Sequence, residues 1–201
     1  MVEVLFQPHV FFSRLKEKRP SIWTAFGVYF LSIFLAAMSS QLALRELPSP
    51  VTFGNPWLWT AIGSLIAALI VWGLFGFIIM LISGTGSRAF EVVGWAAAPS
   101  LVIGLIMLAV AALFPASGTV PPPPSDPTQM ADWMKAYQTV VQASTYSQIS
   151  RILGLAALLW SSWILFAGIQ VFARTRAAIS AGVYLALQLG MYFLGNIHLG
   201  G

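Results

Sequence analysis

An all-α bundle threaded through a lipid bilayer is the fold class this sequence predicts, and three observations predict it. Hydrophobic residues make up 58% of the chain and charged residues only 8%, whereas soluble domains carry roughly a quarter charged. The mean hydropathy of +0.83 follows from that imbalance. Five apolar runs, at about 22–39, 57–82, 92–114, 152–173 and 177–194, approach or exceed the ~20 residues needed to cross ~30 Å of hydrocarbon. The charges gather between these runs, which is where lipid headgroups and water lie.

Residues 1–20 read as an interfacial amphipathic segment ahead of a five-helix domain at 21–201. Phe11, Phe12 and Leu15 face one side of a helix opened by Pro8, and Arg14, Lys16, Lys18 and Arg19 supply a basic side. Such a helix lies in an anionic headgroup layer, or serves as the positive flank of the first span. Pro48, Pro50, Gly54 and Pro56 make the stretch 41–56 a loop, and Trp57 and Trp59 mark the next membrane boundary.

Gly84 and Gly86 end the second run in a turn, Arg88 and Glu91 form a charge pair at the mouth of the third, and Pro99 kinks it. Proline there lacks the amide that the Trp95 carbonyl would accept. After Pro121–Pro124, Asp126 caps a new helix, with Met130, Trp133, Tyr137 and Val141 on one face, so an amphipathic helix over 126–142 joins the third and fourth spans. It runs on toward the fourth span through a polar bend at 144–150. In the fifth run Ala178, Gly182, Ala186 and Gly190 recur every four residues. That spacing gives a small-residue ridge for close helix packing, and the third and fifth spans are expected to meet near Pro99.

Five crossings place the termini on opposite sides. Arg14, Lys16, Lys18, Arg19, Arg88, Arg174 and Arg176, seven of the ten basic residues, then share one side. The positive-inside rule makes that side cytoplasmic and the carboxyl terminus extracytoplasmic. Membrane-flanking cations of this kind contact lipid, which argues against nucleic acid as a partner. With no cysteine, disulfides and thiol chemistry are excluded.

The order of five spans, the Pro8 to Phe12 opening with its basic helix, the Gly84-Thr85-Gly86-Ser87 turn, and Val92-Val93-Gly94-Trp95 leading to Pro99 resemble the Yip-domain family, the Ypt-interacting proteins. Gly94-Trp95 is similar to the family's usual glycine-tyrosine pair, with the ring kept and the hydroxyl lost. The long amino-terminal region of eukaryotic members, with its Asp-Leu-Tyr-Gly-Pro motif, is missing, which counts against Rab-type GTPase binding; the compact cytoplasmic parts and the lack of a large soluble domain suggest a prokaryotic member, in an inner or plasma membrane. The resemblance implies a multi-pass protein of membrane organisation or trafficking.

No enzyme is expected. His9 and His198 fall on opposite sides, Glu91 has no second carboxylate near it, and the serines lack a base. No cofactor or metal is called for. Two functional readings stand. One is a scaffold or adaptor whose face of Arg14, Lys16, Lys18, Arg19, Arg88 and Glu91 meets anionic headgroups, a protein partner or a second copy. The other is a small channel or carrier for an ion or solute through a polar cavity near Pro99. Arg88, Glu91, Trp95, Pro99, Gln170 and Gln188 are its candidate residues, because polar groups in an apolar bundle are functional candidates.

Overall fold

The structure, a computed structural model, describes residues 2–48 and 55–197. Residues 49–54 of the proline-rich loop before the second run, and His198 with the last two glycines, lie outside the described residues.

Two short helices, α1 (Val2–Phe6) and α2 (Pro8–Lys16), lead into α3 (Ile22–Ala43), and α4 (Pro56–Ser83) is the second run. The third is broken into α5 (Arg88–Ala96) and α6 (Ala98–Leu113); α7 (Met130–Ala143), α8 (Thr145–Phe172) and α9 (Ala177–Ile197) complete the chain. Among the described residues there is no strand. Among the described residues, four units, α3, α4, the α5–α6 pair and α8, are long and apolar enough to cross a membrane. One face of α4 leaves Leu58, Leu65, Leu69, Leu74, Phe77 and Leu81 exposed, an apolar surface suited to lipid.

Local chemistry sets the ends. Asn55 accepts the Trp57 amide through its side chain (3.0 Å), and Pro56 occupies the first turn of α4. Gly84 closes that helix at φ +71° and Gly86 follows at φ +60°, conformations that a side chain disfavours. Ala97 is the break that Pro99 imposes: its amide returns to Gly94, and α6 restarts at Ala98. Asp126 accepts the backbone amide and hydroxyl of Thr128 at 2.9 and 2.8 Å, which holds its carboxyl below the usual range. The bend between α7 and α8 is confined to Ser144, an extended residue whose hydroxyl accepts the Ser147 amide.

The amino-terminal segment packs on the bundle beside α8. Val4 and Phe12 are fully buried, and the Trp160 indole donates to the Leu5 carbonyl at 3.0 Å. Trp160 stands twelve residues before the end of α8, roughly 18 Å along its axis. Phe12 presses on Gly168, where any added Cβ would meet Val92 at 2.6 Å. Aromatic area of the segment is thus buried on a glycine-notched helix.

The small-residue packing also falls elsewhere than expected. Ala178, Gly182, Ala186 and Gly190 are exposed, and a Cβ added at Gly182 or Gly190 meets nothing within 4 Å. α9 packs chiefly on α8, with a smaller contact on α4. The helix that carries Pro99 packs most extensively on α3. There a Cβ at Gly94 would lie 2.5 Å from the Ala25 carbonyl oxygen, and one at Gly104 would lie 2.9 Å from Leu35 Cβ. A kinked helix follows α3 only where glycines let the backbones approach, so the pairing is of spans one and three. Gly94→Ala is expected to lower stability by about 1–3 kcal/mol through overpacking, while Gly182→Ala stays within about 0.5 kcal/mol. Unfolding of both variants in detergent measures the contrast.

Candidate functional site

Two neighbouring regions carry the polar groups of the bundle. The first is at the basic end. Glu91 is completely buried on α5, and its carboxylate accepts the Arg88 guanidinium at 2.6 Å and the Ser21 amide at 2.8 Å. Ser21 is the cap residue of α3, so the carboxylate faces the positive end of that helix dipole. Arg88 also donates to the carbonyls of Lys16 and Lys18 and lies over the Phe172 ring, 5.3 Å from its centre. One ion pair thus ties α5 to the α2–α3 linker and to the end of α8. Arg176 donates to the Ile82 carbonyl at 2.9 Å, satisfying an orphan acceptor where α4 ends. Arg14 pairs with Glu3 at 2.6 Å, and Lys16 reaches the Val171 carbonyl. Lys18, Arg19 and Arg174 are exposed and make no such contact among the described residues.

The second region is a cavity of about 540 Å³ in the half of the bundle away from that end, walled by α3, α4, α6, α8 and α9. Tyr29, Ser32, Ser39, Ser100, Ser150 and Gln188 bring polar groups to it. Ser32 and Ser39 donate back to carbonyls of their own helix at 2.7 and 2.8 Å, and Ser39 shares a 3.0 Å hydrogen bond with the Tyr146 hydroxyl. The Tyr184 hydroxyl is wholly buried. Gln188 is close enough to interact with it, but not in full hydrogen-bond geometry.

The residues singled out from sequence therefore part company. Arg88 and Glu91 form the node, Gln188 lines the cavity, and Pro99 breaks the helix one residue before Ser100, which also lines it. Trp95 packs edge-on against Phe11, ring centres 5.0 Å apart, with its buried indole N–H unpartnered. Gln170 is half-buried on α8 and lines no part of the cavity. Sequence reasoning missed the serines and tyrosines. Their signal was in the spacing: Tyr29, Ser32, Ile33, Ala36, Ser39 and Ser40 recur as one helical face of α3.

An all-helical bundle with lipid-facing apolar stripes and a buried ion pair at one end defines an integral membrane protein. The chain belongs to the Yip1 domain family, whose model matches residues 2–196. Comparison with curated proteins and with solved structures finds no match.

Glu91→Gln is expected to destabilise the protein by about 3 kcal/mol, because it leaves Arg88 without its counter-charge in a largely dry site. The double variant Arg88→Met/Glu91→Gln should lose clearly less than the sum of the single changes. Equilibrium unfolding of the cycle in detergent reads that coupling.

Proposed function

We propose that the protein is a five-span membrane scaffold or adaptor whose basic end lies at the cytoplasmic face and docks on anionic lipid headgroups. The observation that carries this reading is the set of cations fixed at one end of the bundle. α9, with 21 residues and a length of about 31 Å, serves as the fifth span. The amino-terminal wedge, the turn after α4 and the turn before α9 then share one side, as the positive-inside rule requires. Arg88 and Glu91 hold this platform in place from beneath. Lys18, Arg19 and Arg174, exposed and unpaired among the described residues, are the groups left to meet headgroup phosphates, with a protein partner as a further occupant of the same face.

The test uses protein in zwitterionic nanodiscs and flotation with phosphatidylserine-containing liposomes. Since each surface cation contributes about 1 kcal/mol near an anionic membrane, changing Lys18, Arg19 and Arg174 together to glutamate should weaken co-flotation about tenfold or more. Unaltered co-flotation would count against the platform.

A second reading, a carrier for a small solute, is favoured by one observation, the polar cavity reaching Gln188. Glu91 has no part in it, being buried in the node. Flux of a panel of ions and neutral solutes into sealed vesicles, falling severalfold in Gln188→Leu, is the expected result. No flux for any of them would remove this reading.

A further inference from the structure

The cavity has features that neither the platform nor the passage of a solute accounts for. Its lining contains no charged residue. Along α8 it extends from Tyr146 to Leu158, about 18 Å at the helical rise, which is close to the depth of one leaflet of a ~30 Å hydrocarbon core. Over that depth the volume has room for a polymethylene chain, whose cross-section at the ~4–4.5 Å spacing of apolar contacts is about 20 Å².

The two ends of the cavity differ in polarity. Toward the basic end the walls are Val71, Phe75 and Leu158, with Tyr29 beside them. At the other end the cavity meets a second hollow of about 300 Å³ beneath α7, and both are lined by Ser40, Tyr146, Ser150 and Tyr192. Arg151 lines that outer hollow and is the one charged residue in either lining. α4 and α9 meet near the basic end, where the Phe75 and Tyr184 rings stack edge-on at 5.5 Å. Farther out they form separate walls, Ala67 and Val71 on one and Gln188 and Met191 on the other.

We infer that this cavity binds a single-chain anionic amphiphile, with its hydrocarbon chain between α3, α6 and α8 and its carboxylate or phosphate beside Arg151 under α7. The chain slides in laterally between α4 and α9, so its apolar surface need not cross water. The hydroxyls around Tyr146 solvate the head, and the guanidinium supplies the charge-assisted hydrogen bonds that an anion prefers. This inference rests on the cavity that motivates the carrier reading, but it requires only binding.

The experiment uses full-length protein in nanodiscs and two photoactivatable probes of equal chain length, a diazirine palmitic acid and the corresponding diazirine alcohol. Labelled residues are mapped by mass spectrometry. The acid should label cavity residues such as Met107, Met191 and Ala157, and unlabelled palmitate should compete. Gly154→Leu, which fills the cavity from α8, and Ser100→Leu, which fills it from the opposite wall, should each cut labelling by both probes at least fivefold. Thermal unfolding of each variant confirms that it is folded. Arg151→Gln should lower labelling by the acid severalfold and leave the alcohol unchanged. A hexadecyl phosphate competing as well as palmitate identifies the shared anionic head, whereas palmitate alone competing identifies a carboxylate site. Labelling spread over the lipid-facing stripe at Leu69 and Leu74, without competition, overturns the site; acid and alcohol responding alike to Arg151→Gln overturns the anionic head. Specific labelling in a protein that shows no flux sustains the inference and removes the carrier.

Discussion

A carboxylate with no exposed surface governs how this bundle is assembled. Removing an ionised Glu91 from water costs several kcal/mol even after relaxation, so the chain must bring it both a cation and a hydrogen-bond donor. Arg88 is one helical turn away and the Ser21 amide comes from the start of α3. Because the partner amide belongs to a helix N-terminus, satisfying the charge also fixes where α3 begins. The same guanidinium holds the carbonyls of Lys16 and Lys18, so the linker cannot move away and α1–α2 are delivered against α8. With α3 and α5 registered at that end, Gly94 falls opposite Ala25 and the kinked third span lies along the first. Electrostatics at one end thus sets the packing over the length of two helices.

The bundle is built differently in its two halves. At the basic end glycines are filled by neighbours: Gly76 by the Phe90 ring, Gly94 by Ala25, and Gly168 by Val92 and Phe12. Toward the other end small residues and serines face a void. A serine can sit there because its hydroxyl satisfies itself on the preceding turn, as Ser32 and Ser39 do, leaving acceptor lone pairs turned toward the space. Pro99 lies where the filled half gives way to the hollow one, and the restart of α6 at Ala98 carries Ser100, Gly104 and Met107 into the wall.

Much of this was legible in the sequence where the signal is local. The glycine turn after Ser83, the break ahead of Pro99, the Arg88–Glu91 pair and the Asp126 turn all depend on residues a few positions apart. The insertion of α1–α2 was not legible, because Phe11, Phe12 and Leu15 form the same apolar face whether it meets lipid or the flank of α8. What decides between them is Gly168, more than 150 positions away, with the Trp160 indole free to bond the Leu5 carbonyl. The four-residue ridge of α9 misled for a related reason. Small residues permit close approach and do not compel it, so Gly182 and Gly190 remain outside while Gly94 and Gly104, with no such regular spacing, take the tight contact. The cavity was half visible: Gln188 stood out as polar, but the stripe from Tyr29 to Ser40 is recognisable only when hydroxyls are counted along a helical face.

The tie between Arg176 and the Ile82 carbonyl joins these halves mechanically. It holds the end of α4 to the start of α9 at the basic end, and the Phe75–Tyr184 contact lies just above it. Beyond that contact Gly63 on one helix and Gly190 on the other meet no neighbour that an added Cβ would touch. Arg174, two residues from the fastening, is one of the exposed cations of the platform. The chain therefore places the fastening between two walls of its cavity and part of its charged surface on a single turn.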